Sequence, residues 1–372
     1  MLRNYLLIAF RNSRRQFSYS LINIIGLAIG IACSLVIFLY VYGEWSYDRH
    51  FQRGNRIYRI GISFFNIGKF ANGPERLLEV LPKEFGGIEI ATRVMKDRDV
   101  IVGVSNQVYR ESQVYYTDSS FFRVFDFSFA QGDPLRVLRG PNEIVLTESL
   151  AKKYFNRTDV MGQVLEIGKE KLPYTITGVV KDPDFNTHLK SPLWLSVQSH
   201  LTGEPAWSSA AFYNYVLLHE NSNESDLLRA LNDVFEKHVY PESGMRMGFK
   251  SLEDYRKNEN AIKFYVHSLR DIYLRSKLNL EISPGGNESN IYVFSAISFF
   301  IMVLAAVNFV NLTTARSSRR AKEVGIRKTM GTSRNKLVGQ FLFESVMTST
   351  VAMFLALVLA EVFLLAFEYP EK

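Results

Sequence analysis

Three apolar blocks decide most of what this chain can become: residues 21–42, 291–310 and 341–367. An α-helix rises about 1.5 Å per residue, so roughly 20 residues cross the ~30 Å hydrocarbon core of a bilayer. Each block meets that length without a proline. The first is too long for the apolar core of a cleaved leader, and Gly43, Glu44 and Trp45 follow it instead of a small-x-small cleavage site. The second carries no charge, which a buried helix of a soluble protein rarely manages. The third carries only Glu344 and Glu361, one near each end, where snorkelling to the interface accommodates both. The sequence predicts an α-helical membrane protein with three transmembrane helices.

Charge then fixes the orientation. Arg3, Arg11, Arg14 and Arg15 precede the first block and face no acid. The stretch 316–336 holds eight Lys or Arg against the single acid Glu323. Residues 44–289 are nearly balanced, with 31 Lys or Arg against 32 Asp or Glu. Positive segments beside spans stay on the cytoplasmic side. Both basic segments therefore lie inside, and the large stretch between the first two spans lies outside. The sole cysteine, Cys33, falls within the first span, so the outer domain has no thiol to oxidise and no disulfide. The domain plan is an N-terminal cytoplasmic segment (1–20), a first span (21–42), an extracytoplasmic domain (43–289), a second span (290–314), a cytoplasmic coupling segment (315–337), a third span (338–367) and an external tail (368–372).

Within the first segment, Leu2, Leu6, Ala9 and Phe10 share one helical face. That suits a helix on the inner membrane surface or a continuation of the first span. The spacing Gly26-x-x-x-Gly30 offers a close-packing face to another helix. Asn308 and Asn311, one turn apart near the inner end of the second span, read as packing groups between spans. The outer domain reads as mixed α/β (α+β). Strands are predicted at 56–64, 100–104, 113–116, 143–146, 164–167, 174–180, 213–218 and 262–266, from their Val, Ile, Tyr and Thr content. Residues 169–171 read as a hairpin loop. Helices are predicted at 150–155, capped by Thr147, and at 225–238. Loops are predicted at 201–209 and 241–260.

The sequence shows no catalytic signature. Gly68-Lys69 and Gly168-Lys169 lack the surroundings of a nucleotide-binding loop. His50, His188, His200, His219, His238 and His267 show no metal-ligand spacing. No G-x-S-x-G elbow occurs. No enzymatic site, cofactor or metal is expected, and 316–336 lacks the interleaved aromatics of a nucleic-acid binder. That stretch could be a solvated loop against anionic lipid heads. Its punctuation suggests more. Residues 318–330 have helical propensity and stop at Gly331, and Thr332 or Ser333 can cap a further helix. Ala321, Val324, Gly325 and Lys328 share one face, with Met330 beside it. A helix laid along the membrane in this way can seat in a cleft on a cytoplasmic partner.

At this point a family resemblance enters. The stretch 307–345, with its core AKEVGIRKTMG, closely resembles the permease domain of FtsX-like ABC transporters. The opening 4–60 is similar to the first span and outer junction of the same group, and 114–155, which begins VYYTDSSFFRVFDF, resembles the MacB-like periplasmic core domain. The resemblance implies a permease subunit in a bacterial inner membrane, with its large domain in the periplasm and a separate cytoplasmic ABC ATPase beneath it. It implies that Arg319, Arg320, Ala321, Lys322, Glu323, Val324, Gly325, Ile326, Arg327, Lys328 and Met330 meet that ATPase. Other partners implied are a second permease half or a second copy, and a periplasmic adaptor or outer-membrane component. Efflux, lipoprotein release and envelope mechanotransmission are the roles the family suggests. The family unit has four spans and this sequence holds three, so the resemblance implies the first half of a longer permease, lacking the fourth span, or a fragment. The rival reading is a membrane-anchored sensor with an outer ligand-binding domain, although the two inner segments total only 41 residues and leave little room for a signalling domain.

Overall fold

A computed structural model describes residues 17–368 except 65–66, 106, 202–205, 208–209, 245–248, 250, 258–261, 316–320, 322–323, 327 and 332. The expected surface helix before residue 12 lies outside the described residues, as does most of the predicted loop 201–209. The chain forms two compact units. One consists of Met1–Trp45 with Glu288–Lys372, and the other is Ser46–Asn287.

The first unit is helical. Helix α1 spans Phe17–Trp45. The second unit then runs through β1 (Ile57–Phe64), β2 (Gly68–Phe70), α2 (Leu77–Glu84), β3 (Ile88–Asp97), β4 (Val100–Val104), β5 (Gln107–Glu111), β6 (Val114–Thr117), α3 (Phe121–Val124), β7 (Phe129–Gln131), β8 (Glu143–Thr147), α4 (Glu148–Phe155), β9 (Val164–Ile167), β10 (Leu172–Val180), β11 (Leu193–Ser196), β12 (Tyr213–Leu218), α5 (Glu224–Val234), α6 (Leu252–Lys257), β13 (Lys263–Ser268) and α7 (Leu269–Arg275). The chain returns to the first unit as α8 (Glu288–Ala315) and α9 (Arg334–Glu368). Helices α1, α8 and α9 are each long and apolar enough to cross a membrane.

The thirteen strands form one mixed sheet in the order β13-β1-β12-β3-β6-β11-β8-β10-β9-β4-β5, with β2 on β1 and β7 on β10. Among the described strands, β6/β11 and β8/β10 pair in parallel and the other pairings are antiparallel. Strand β12, YNYVLL, is buried at all six positions, because both faces of the sheet are covered there. Tyr215 and Leu217 enter a core rich in aromatics around Trp194, Phe121 and Phe125. Val216 and Leu218 enter another core beneath α2 and α5, with Leu77, Leu81, Leu227 and Leu231.

Local signals set several boundaries. The Thr147 hydroxyl accepts from the Leu150 N–H at 3.3 Å and starts α4, and Asn156 ends it at φ +54°. Helix α5 begins one residue before the prediction, because Asn223 and Asp226 form a capping box. The predicted hairpin loop is real: Leu172 pairs with Ile167, and Gly168 and Lys171 take positive φ. Other expectations need correction. The run 241–260 is not wholly loop. Beyond α5 the chain continues as a π-helix, Phe235–Gly244, and α6 follows. Strand β3 escaped prediction because Glu89, Thr92, Arg93 and Lys96 dilute its apolar pattern. Asp118 accepts from the Arg93 backbone N–H at 2.9 Å and from its Nε at 3.3 Å.

Candidate functional site

No cluster of His, Cys, Asp or Glu that could hold a metal occurs among the described residues. The features that bear on function are the seams of the membrane unit, the inner turn between α8 and α9, and the base of the outer unit where the chain enters and leaves it.

Helix α1 is the middle helix of the membrane unit. At about 100° per residue, Gly26, Gly30 and Ser34 form one stripe and Ala28 and Ala32 lie roughly opposite. The first stripe meets α8. A Cβ on Gly30 would overlap the Cβ of Ala305, and one on Gly26 would stand 3.4 Å from Asn308 Nδ2. Ser34 Oγ donates to the Ser298 carbonyl at 3.1 Å, and Ser298 Oγ donates back to the Ser34 carbonyl at 3.2 Å. The second stripe packs on Ala352 and Ala356 of α9. Without a hydrophobic drive between helices in lipid, close backbone approach and interhelical hydrogen bonds of about 0.6–2 kcal/mol each must hold the seam. Asn308 lies beside Gly26 but remains exposed, and Asn311 is exposed. Sequence reading passed over the two serines, although Gly26-Gly30-Ser34 continues the small-residue spacing by one turn.

On the inner side, residues 321, 324–326 and 328–329 are helical. Met330 N donates to the Ile326 carbonyl at 3.2 Å and Gly331 N to the Lys328 carbonyl at 3.1 Å. Gly331 sits at φ +83°, the left-handed conformation that ends a helix at low cost only for glycine. Ser333 then opens α9, its carbonyl accepting from Lys336 N at 3.2 Å. Ile326 and Met330, one turn apart, are 54% and 80% exposed. Val324 is half-buried, and Ala321, Gly325 and Lys328 are exposed. Arg319, Arg320, Lys322, Glu323 and Arg327 lie outside the described residues.

The base of the outer unit holds two buried polar clusters. Just inside the incoming segment, Asp48 is fully buried. Its Oδ1 accepts from Thr187 Oγ1 at 2.7 Å and from His188 N at 3.2 Å, and its Oδ2 meets His188 Nδ1 at 2.7 Å. The other ring nitrogen, Nε2, lies 2.8 Å from the Tyr215 hydroxyl. Burial holds that hydroxyl well above its ordinary range, so it stays protonated and donates to Nε2. Buried Arg59 grips Glu281 of the outgoing segment with both terminal nitrogens, Nη2 at 2.8 Å from Oε1, and Nη2 also donates to Ser276 Oγ at 2.9 Å. Asp48, Thr187, His188 and Tyr215 thus form one hydrogen-bonded cluster that holds the incoming segment to a loop and β12, and Arg59, Ser276 and Glu281 form a second that holds the outgoing segment to β1. Further bonds lace the outgoing segment in place: Tyr213 Oη to Leu280 O at 2.7 Å, Lys96 Nζ to Ile282 O at 2.6 Å, and Gly286 N to Tyr273 O at 2.8 Å. The Tyr273 ring stacks on Tyr47 of the incoming segment. The resemblance of Asp–His–Tyr to a catalytic relay stops at burial: substrate cannot reach side chains that are 0–1% exposed.

A membrane helix that leads into a mixed outer sheet domain, returns through a second membrane helix and then makes an inner helix–glycine–helix turn is the plan of an ABC transporter permease. Residues 20–234 match the family described as MacB-like periplasmic core domain, and residues 295–370 match the FtsX-like permease C-terminal family. The first match alone covers more than half the chain, and the chain belongs to the MacB/FtsX-like ABC permeases. Among curated relatives, the macrolide export ATP-binding/permease protein MacB of Aggregatibacter actinomycetemcomitans is 21% identical over 348 residues, 88% of this chain and 48% of that protein. The protein of the same name from Agrobacterium fabrum is 20% identical over 252 residues, 65% of this chain and 34% of that protein. The chain therefore spans about half the length, or less, of these relatives. Among solved structures, a domain assigned to a permease protein of Porphyromonas gingivalis shares 20% identity and aligns with a TM-score of 0.49, covering 59% of this chain and 92% of that domain. The periplasmic region of MacB from Actinobacillus actinomycetemcomitans shares 17% identity at a TM-score of 0.41, covering 59% of this chain and 91% of that chain.

Proposed function

We propose that this chain is the membrane subunit of a MacB/FtsX-type ABC transporter in a bacterial inner membrane, driven by an ATPase on a separate cytoplasmic polypeptide. The observation that carries the reading is the inner turn. A helix stopped by left-handed Gly331 runs directly into α9, and it presents Ile326 and Met330 to the cytoplasmic side without covering them. Two large apolar side chains one turn apart, on a segment rich in Lys and Arg, suit a groove with an apolar floor and an acidic rim. Closure of a nucleotide-bound ATPase dimer would push this lever. The load would pass through α9 to α1 by the alanine seam and on to α8 by the serine bonds.

The two buried polar clusters, Asp48–His188–Tyr215 and Arg59–Ser276–Glu281, support the outer half of this reading. Because they tie the incoming and outgoing segments to neighbouring strands of one sheet, the outer unit would receive displacement as a stiff body. That suits export or envelope signalling by a change of posture, with no cargo passing between the spans. The names of the curated relatives join ATP binding and permease in one protein and specify macrolide export; an exported small molecule is therefore one cargo class for this family member. Charge reversal at Arg327 and Lys328 is expected to abolish co-purification of the ATPase while leaving membrane insertion intact. Normal recovery of the ATPase with that variant would refute the coupling role of the turn.

A further inference from the structure

A groove of about 310 Å³ opens beside α4 in the outer unit, where the link from β5 to β6, the first turns of α4 and the loop 182–192 meet. Pockets that hold small molecules begin at about 300 Å³, so this one suits a ligand of few atoms. Leu150, Pro183 and Pro192 give it apolar lining, and four charged side chains share the rest: Glu111, Lys153, Asp182 and Lys190. Two of these are fixed against each other. Glu111 is buried at the end of β5, and its Oε1 accepts from Lys153 Nζ at 2.6 Å and from Tyr154 Oη at 2.8 Å. The Lys153 ammonium also lies over the rings of Tyr109 and Tyr154, 5.4 and 5.7 Å from their centroids. An ammonium carries three N–H donors and Glu111 takes one, so Lys153 is held in place with donors left for a ligand.

The other two charges are not neutralised by the chain. Asp182 Oδ2 accepts from the Ser149 backbone N–H at 3.0 Å, but its Oδ1 and the Lys190 ammonium make no hydrogen bond or ion pair with the described residues. With Lys153 and Glu111 balancing each other, one positive and one negative side chain remain in one small space. A purely anionic ligand would be repelled by Asp182 and a purely cationic one by Lys190, whereas a ligand that carries both charges satisfies both. We propose that this groove binds a small zwitterion, an α-amino acid with an apolar side chain. Lys190 and Lys153 grip its carboxylate, Asp182 accepts from its ammonium, and its side chain rests on Leu150, Pro183 and Pro192. The loop that supplies Asp182 and Lys190 also carries Thr187 and His188, which hold Asp48, so the site and the anchor of the incoming segment share one loop. The site is independent of the cytoplasmic lever and of the ATPase.

The test is isothermal titration calorimetry of the full chain in lipid nanodiscs with L-leucine, and saturable binding is expected. N-acetyl-leucine lacks the positive charge and leucinamide the negative one, so each should bind at least about tenfold more weakly than leucine, having lost a charge-assisted hydrogen bond. Lys190→Gln and Asp182→Asn should weaken leucine to a similar degree. Both side chains are exposed, and asparagine keeps an acceptor for the Ser149 N–H, so the fold is retained. Lys181→Gln, on the same loop but outside the groove, should leave the affinity unchanged. No saturable binding of leucine overturns the proposal, as does equal binding of either blocked form or unchanged affinity in Lys190→Gln or Asp182→Asn. Equal weakening by Lys181→Gln also overturns it, because the effect would then be one of general charge.

Discussion

At the scale of single residues, the histidines separate by environment. His50 lies between the rings of Phe51 and Phe185, and neither ring nitrogen has a hydrogen-bond partner. Burial pushes it from its ordinary 6.5 down to about 4, against the opposing pull of Asp48, Asp126 and Asp184. The fold thus keeps His50 neutral while the unfolded chain takes up a proton below pH 6.5. In that window the unfolded state binds more protons, so stability falls as pH drops from 6.5 through about 4. His50→Leu is expected to flatten this part of the profile, read as the urea midpoint of the detergent-solubilised chain at several pH values; an unchanged slope would show that His50 does not carry it. His188 differs in that its backbone N–H and both ring nitrogens have partners. None of this was legible in the sequence, where the six histidines looked merely scattered. Asp48 and His188 are 140 residues apart, and no spacing rule joins them. Thr147, by contrast, caps a helix three residues away, and local chemistry of that kind can be read directly from the chain.

At the scale of elements, the membrane helices were the most legible feature and the outer strands were less so. A 20-residue apolar run has few meanings, whereas a four-residue strand such as LWLS has many. Strand β11 owes its place to pairing with β6 and β8, which no short window contains. The π-turns after α5 likewise follow from packing: Phe235, Val239 and Tyr240 reach the core beneath that helix. The α1/α8 seam gives a sharp prediction. With Gly30 against Ala305, Gly30→Leu is expected to force the helices apart. In a Cys33→Ala background, Ser34→Cys with Ser298→Cys should form an intramolecular disulfide, and adding Gly30→Leu should remove most of it. Retention of the disulfide would mean that the seam tolerates bulk.

At the scale of the whole molecule, the uneven charge carries the plan: basic excess in two short inner segments and near balance in 44–289. The outer unit joins β1, the first strand after α1, directly to β13, the last strand before α8, in a six-pair antiparallel register. Within the outer unit Tyr47 of the incoming segment stacks on Tyr273 of α7, and within the membrane unit Tyr40 touches Phe294. In chain order the outer unit is therefore a parenthesis, opened after α1 and closed before α8, two helices that the Ser34–Ser298 bonds join on their own. Cut out at 46–287 and bridged by a few glycines and serines, the shortened chain is expected to insert with α1 and α8 still bonded through Ser34 and Ser298, as protease protection and the same cysteine pair would report. A foreign domain spliced into that gap is then expected to leave the α1–α8 seam intact.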